Sequence, residues 1–240
     1  MRILALDSSG LVAGVAILEN DTILAEYTTN FKKTHSQTLL PMLEELKKMI
    51  DLDLDTIDAI AVASGPGSFT GLRIGTATAK GLGLALEKPL IAVPTLEGIA
   101  YNLCGTEKIV CPLMDARRNQ VYTGAYTFAL ENGTYHIQTL ISQRAVDITE
   151  MIGLLNELGR EVVFLGDGVP VYKKQIEEKI TVPYGFAPAN NNCQRAASVA
   201  ALGAQYYMEG KTVSADEHQP EYLRKSQAER EREEAEHAGC

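Results

Sequence analysis

The chain has 240 residues, 45% of them apolar, and a net charge of −9. That is enough for one large domain or two small ones with a sizeable core. The acidic balance argues against tight autonomous binding of nucleic acid, which needs clustered Lys and Arg against phosphates, but allows a place in a larger complex whose other members hold the RNA.

Residues 2–7 read as a buried strand, and 12–18 and 22–28 as two more, with Glu19-Asn20-Asp21 as the turn between them. This is an antiparallel meander. Leu39, Leu43, Leu46 and Ile50 then recur at helical spacing, so 35–50 is an amphipathic helix. A buried strand at 57–63, a loop at 64–69, a helix at 70–86, a short strand at 90–93 and a helix at 95–103 follow. The order βββαβαβα resembles the actin/hexokinase class, in which such a meander opens each of two related domains. The second half repeats the pattern: strands at 109–114, 121–128 and 135–142, a helix at 147–158, a strand at 162–165 and a helix at 169–179. A last helix runs over about 194–209. The expected architecture is α/β and two-lobed, each lobe a mixed sheet opening with a meander. One lobe spans 1–105, the second 106–223, and 224–240 is a charged tail.

Cys104, Cys111, Cys193 and Cys240 include no C-x-x-C pair, so neither a zinc finger nor a disulfide framework is expected. The apolar start, Met1 to Leu6, meets Asp7 at once and is too short for a signal peptide, and no stretch reaches membrane-spanning length. The expected location is the cytoplasm, without membrane association.

Three segments carry possible chemistry. Asp7-Ser8-Ser9-Gly10 follows the first strand. Small side chains and exposed N–H groups there suit a phosphate; a turn closed by its own Asp and Ser side chains is the other reading. The segment Gly65-Pro66-Gly67-Ser68-Phe69-Thr70-Gly71 is a sterically open loop in which Ser68 or Thr70 can cap the next helix. It lacks the Gly-Lys-Ser/Thr ending of a P-loop. Within that helix Gly71, Gly75, Ala79 and Gly83 lie four apart. Glycine in a helix interior costs about 1 kcal/mol relative to alanine, so such a stripe implies close approach of another element, inside the domain or from a partner.

Ile3-Leu4-Ala5-Leu6-Asp7-Ser8-Ser9, His35-Ser36-Gln37-Thr38-Leu39-Leu40-Pro41, Gly65 to Gly75, Thr95-Leu96-Glu97-Gly98 and Asp115-Ala116-Arg117 occur in this order and together resemble the TsaB (YeaZ) family. The match is close over residues 1–125. It resumes at Gly166-Asp167-Gly168 and at Pro220-Glu221-Tyr222-Leu223-Arg224. The resemblance implies an actin-like subunit with no transferase activity of its own, and pairing with the catalytic paralogue TsaD and the ATPase TsaE. The complex places threonylcarbamoyl on adenosine 37 of tRNAs that read codons beginning with A. It also implies that the helices at 35–50 and 70–86 form the surface for self-association or for TsaD. His35, Leu39, Leu43, Leu46, Gly71, Gly75, Ala79 and Gly83 are then the interface residues, tRNA is met only through the complex, and the isolated protein is a homodimer.

The resemblance extends to TsaD, whose metal-binding helix carries His-x-Glu-Gly-His. Here the stretch reads Thr95-Leu96-Glu97-Gly98-Ile99, so both imidazoles are replaced and no intrinsic metal or catalytic residue is expected. Asp115-Ala116-Arg117-Arg118 puts long side chains where actin-like ATPases carry Asp-x-Gly. Asp7, Ser8, Ser9, Asp115, Arg117 and Gly166 then mark a degraded nucleotide site, with no intrinsic cofactor beyond a weakly held nucleotide at the lobe junction. An autonomous actin-like ATPase or kinase using Asp7 and Asp115 is the alternative, and a metalloprotease-like hydrolase a more distant one. If the glycine stripe faces a partner, Gly75→Leu or Ala79→Arg should disrupt association and leave the monomer folded.

Overall fold

The computed structural model describes residues 1–31, 34–117 and 119–224. The first lobe opens with β1 (Arg2–Asp7), β2 (Ala13–Glu19) and β3 (Thr22–Thr29), continues with α1 (Leu39–Met49), β4 (Ala59–Gly65), α2 (Phe69–Leu86) and β5 (Leu90–Pro94), and leads into α3 (Thr95–Ala100). The second holds β6 (Ile109–Asp115), β7 (Gln120–Glu131), β8 (Thr134–Asp147), α4 (Ile148–Leu158), β9 (Val162–Leu165), α5 (Val169–Lys179) and β10 (Tyr184–Phe186), and α6 (Ala196–Met208) closes the set. The sheet orders are β3-β2-β1-β4-β5 and β10-β9-β6-β7-β8. Renumbering β6 to β10 as first to fifth makes the two orders the same. This is a two-lobed actin-like fold, and the duplication foreseen from the order of elements is real at the level of topology.

The elements form for local reasons. β1 and β4 are buried on both faces and read as unbroken apolar runs, as parallel central strands must. In α1, Leu39, Met42, Leu43 and Leu46 sit on the inner face, and burying each stabilises the fold by about 2 kcal/mol. The helix foreseen over 35–50 is interrupted: His35–Gln37 form one 3-10 turn, and α1 starts after Thr38. α4 begins at Asp147, whose carboxylate accepts the Thr149 N–H, and ends at Gly159 with φ +65°. β10 has only three residues, Tyr184-Gly185-Phe186, too few to show a period.

One face of the first sheet packs on α1 and α2, through Leu4, Leu6, Val15, Ile60 and Val62. Its other face, Ile3, Ala5, Ala16, Ala61 and Val93, is covered by α6. Small residues on both sides allow that helix to lie close: a Cβ on Gly203 would stand 2.7 Å from the Ala61 Cβ. The second sheet is covered by α4 and α5 on one side and by α3 on the other. The chain therefore crosses between lobes twice, with α3 serving the second sheet and α6 the first. This corrects the division at residue 105. The segment 196–215, part of the 106–223 assigned to the second lobe by chain order, packs on the first, with Ala215 in its core and Val213 bridged to Leu90. The tail 225–240 lies outside the described residues. Among the described residues no helix is long and apolar enough to cross a membrane.

Candidate functional site

The turn after β1 is closed by its own side chains. Asp7 is buried, and its Oδ1 accepts the Ser9 N–H at 2.8 Å and the Ser9 hydroxyl at 2.7 Å. Ser8 Oγ donates to the Gly71 carbonyl at 2.9 Å, and a His35 ring nitrogen, Nε2, stands 2.8 Å from the Gly10 carbonyl oxygen. Burial raises the Asp7 carboxyl above the ordinary carboxylate range; the hydrogen bonds from Ser9 and the proximity of His35 oppose that shift. The folded pKa thus exceeds the unfolded one. Between the two the folded state holds more protons, so the residue's contribution to stability falls as pH rises through the folded pKa. Asp7→Asn keeps an Oδ1 acceptor and removes the buried charge. We expect its melting temperature at neutral pH to rise by about 2–4 °C for each kcal/mol recovered, with a flatter pH profile from the acid side. A fall measured by calorimetry at neutral pH would show that the charge itself is needed.

The loop after β4 packs onto this turn. The Ser68 N–H donates to the Ser9 carbonyl at 2.7 Å, and Ser68 Oγ caps α2 by accepting the Gly71 N–H at 3.3 Å. A Cβ on Gly71 would lie 2.1 Å from the Ser8 carbonyl oxygen, and one on Gly67 2.3 Å from that of Ser9. Gly65, at φ +118°, has the Glu221 carbonyl oxygen 2.2 Å from where its Cβ would be. These glycines bring three stretches of backbone together. The N–H groups of Ser9 and Ser68 are engaged within that contact.

This geometry corrects the interface assignment. Gly71, Gly75, Ala79 and Gly83 are all buried inside the first lobe: Gly75 against Ser8 Oγ, Gly83 against Leu90 and Ala215. Leu39, Leu43 and Leu46 belong to the same core. The close approach is made at Gly71 and Gly75 by Ser8, in the turn after β1, and at Gly83 by Lys88, Leu90 and Ala215. Residues two positions along lie about 200° around the helix. Arg73, Ala77, Gly81 and Ala85 form that outer face, with Leu84 56% exposed, and nothing lies within 4 Å of a Cβ on Gly81. On α1 the outer apolar residues are Leu40 and Met49, 53% and 83% exposed. The signal was present in the sequence: Leu40, Met49 and Leu84 are apolar residues off the core stripes.

In the second lobe, Asp115 Oδ1 accepts the Arg117 N–H at 2.9 Å and lies 3.4 Å from the Tyr172 hydroxyl. Arg117 adopts φ +60°, and Arg118 lies outside the described residues. Asp167 is raised by burial, and its Oδ1 accepts the Asp115 N–H at 3.4 Å. Gly166, at φ +103°, has the Leu113 carbonyl oxygen 2.2 Å from its Cβ position and donates its N–H to Asn192 O at 2.7 Å. Its glycine character serves packing on β6. The Asp7 and Asp115 turns sit on different lobes, each closed by its own side chains. Sequence reading missed Gln194, which is 1% exposed and has its amide against Gly10.

The positions where the resemblance implies imidazoles in TsaD have structural contacts here. Thr95 is 1% exposed, and its Oγ1 accepts the Gly65 N–H at 3.1 Å. Ile99 is buried with Val110, Met114 and Tyr126. Glu97 accepts the Tyr206 hydroxyl, and burial raises its carboxyl. Among the described residues, no three His, Cys, Asp or Glu side chains are grouped to hold a metal ion.

Comparison with known proteins agrees with this picture. A family model described as TsaD, tRNA N6-adenosine threonylcarbamoyltransferase, matches residues 22–232. The tRNA threonylcarbamoyladenosine biosynthesis protein TsaB of Bacillus subtilis (strain 168) is 36% identical over 231 residues, covering 95% of this chain and 96% of the relative. The protein of that name from Escherichia coli (strain K12) is 31% identical over 231 residues, with the same coverage. The chain belongs to the TsaB (YeaZ) family. The solved structure of YeaZ from Pseudomonas aeruginosa superposes with a TM-score of 0.74 at 27% identity, over 92% of this chain and 99% of that one. The family is that of tRNA threonylcarbamoyladenosine biosynthesis, and its two-lobed fold is the one described above.

Proposed function

We propose that the chain is a non-catalytic subunit of the machinery that transfers threonylcarbamoyl to tRNA adenosine, acting by binding a TsaD-type catalytic subunit, with a TsaE-type ATPase as a further partner. The observation that carries this reading is the use made of Thr95 and Ile99. Where the resemblance aligns metal-binding imidazoles, one side chain accepts a backbone N–H and the other fills the core. Neither can supply a nitrogen ligand to a transition metal.

The two turns that would meet a nucleotide support the same reading. Asp7 and Asp115 are bonded to their own turns, and the N–H groups of Ser9, Ser68, Arg117 and Gly166 are engaged by protein acceptors. A phosphate entering there would compete with bonds already made. Any nucleotide is therefore held weakly or through the complex. The partner surface is the outer face of α2, with Ala77, Gly81, Leu84 and Ala85 exposed, together with Leu40 and Met49 of α1. The same surface would serve a second copy of the chain when the catalytic subunit is absent. tRNA is reached through the complex, consistent with the net charge of −9.

Reconstitution tests the reading. With TsaD- and TsaE-type subunits, tRNA, a threonylcarbamoyl donor and ATP, omitting this chain should reduce product at least about a hundredfold, the scale of a lost interface hot spot. Product formed by this chain alone, or undiminished product in its absence, would overturn it. Calorimetry with ATP and magnesium on the isolated chain addresses the ATPase alternative, which tight binding with turnover would favour.

A further inference from the structure

The segment after α6 has no part in the function proposed above. It leaves the helix at Met208, runs back over the first lobe and ends against the second. Val213 exchanges two backbone hydrogen bonds with Leu90, each 2.9 Å. Lys80 Nζ, from α2, donates to the carbonyls of Asp216 at 3.0 Å and His218 at 3.2 Å, and His218 is only 2% exposed. The Glu221 N–H donates to the Ser64 carbonyl at 2.7 Å. The Tyr222 ring stacks on Phe69, the first residue of α2, with centroids 4.2 Å apart, and the Arg73 guanidinium carbon stands 4.3 Å from the Phe69 ring centroid. All these anchors lie on the first lobe.

Two hooks reach the second lobe from the same segment. Gln143 Nε2, on β8, donates to Glu221 Oε2 at 2.7 Å. Arg224 Nη1 donates to the Ala116 carbonyl at 2.7 Å, in the turn after β6. Gly65 permits the crossing, because the Glu221 carbonyl takes the place that a Cβ there would need. The lobes are joined at the crossings, where Gln205 of α6 donates to the Tyr135 carbonyl at 2.8 Å and Asn102, just after α3, donates to the carbonyls of Asn191 and Cys193 at 3.1 and 2.7 Å. A two-lobed fold hinges about such crossings, and a further tie beside the Gly65–Ser68 loop and the Ala116 turn, away from both, limits that motion.

We propose that residues 213–224 are a latch that fixes the two lobes relative to one another from within the chain, without a ligand between them. The first-lobe anchors hold the strap in place, and Glu221 and Arg224 close it onto the second lobe.

Hydrogen exchange on the full-length chain tests this, comparing the wild type with Glu221→Ala/Arg224→Ala. These changes remove the second-lobe hooks and leave Val213, Lys80 and Tyr222 in place. Amides of residues 189–194, where Gln194 lies against Gly10 of the first lobe, should exchange about tenfold faster, while 213–219 stay slow. Faster exchange confined to 221–224 would overturn the latch. Gln143→Ala leaves the strap's own sequence untouched and carries the same comparison if the double variant does not fold. It should speed residues 189–194 about threefold, and no change there would overturn the proposal.

Discussion

Gly71→Val should destabilise the chain strongly, by about 3 kcal/mol or more. The reason is a backbone contact. The Ser8 carbonyl oxygen lies 2.1 Å from where the new Cβ would be, and neither side is free to move. Ser8 follows the central strand β1, and its Oγ donates to the Gly71 carbonyl at 2.9 Å. Gly71 lies in the first turn of α2, held by the cap from Ser68. Against a typical total stability of about 5–15 kcal/mol, that cost removes a large share of the margin and lowers the unfolding midpoint accordingly. The control lies on the same helix. Nothing is within 4 Å of a Cβ on Gly81, so Gly81→Val should be neutral or slightly stabilising, because valine is a better helix former than glycine. Urea denaturation of the two variants, with soluble yield as a second readout, checks both. Equal midpoints would show that the glycine at 71 does not serve the approach of β1.

Leu84→Arg should have the opposite profile: a folded monomer that no longer associates. Leu84 is 56% exposed, on the outer face with Arg73, Ala77, Gly81 and Ala85. A guanidinium there is solvated in the free chain, so the fold is spared, and must be desolvated without a partner when a helix docks. Affinity for a TsaD-type subunit should fall about a hundredfold or more, measured by titration calorimetry, with an unchanged melting temperature. Normal affinity would remove this face from the proposed interface. Ala79→Arg, in contrast, is now expected to unfold the chain, because Ala79 is fully buried in the first-lobe core. The same holds for Gly75→Leu, where a Cβ would already stand 2.5 Å from Ser8 Oγ.

The glycine-rich segment explains why its residues are so specific. A glycine loop before a helix suggests a phosphate cradle, and a glycine run within the helix suggests a partner helix. The structure uses Gly65, Gly67 and Gly71 to place three stretches of this chain in backbone contact: the turn after β1, the loop after β4 and the strap at Glu221. Gly75 extends the same contact to the Ser8 side chain.

Most elements were readable from the chain itself. Apolar runs marked β1 and β4, the period of Leu39, Leu43 and Leu46 marked α1, and the repeated order of elements implied two related lobes. The exceptions are β10, three residues long, and the break at Thr38. The strap was visible only as the motif Pro220 to Arg224, with no local signal of where it lands. Sequence alone determined most of the elements, their repeated order, threonine and isoleucine at 95 and 99 where the resemblance implies imidazoles in TsaD, and a face on α2 that demands close approach. Only the tertiary structure decided what approaches it. Helical periodicity ranks residues around an axis but carries no direction in space. That direction was set by Ser8, sixty-three residues before Gly71 and hydrogen-bonded to it.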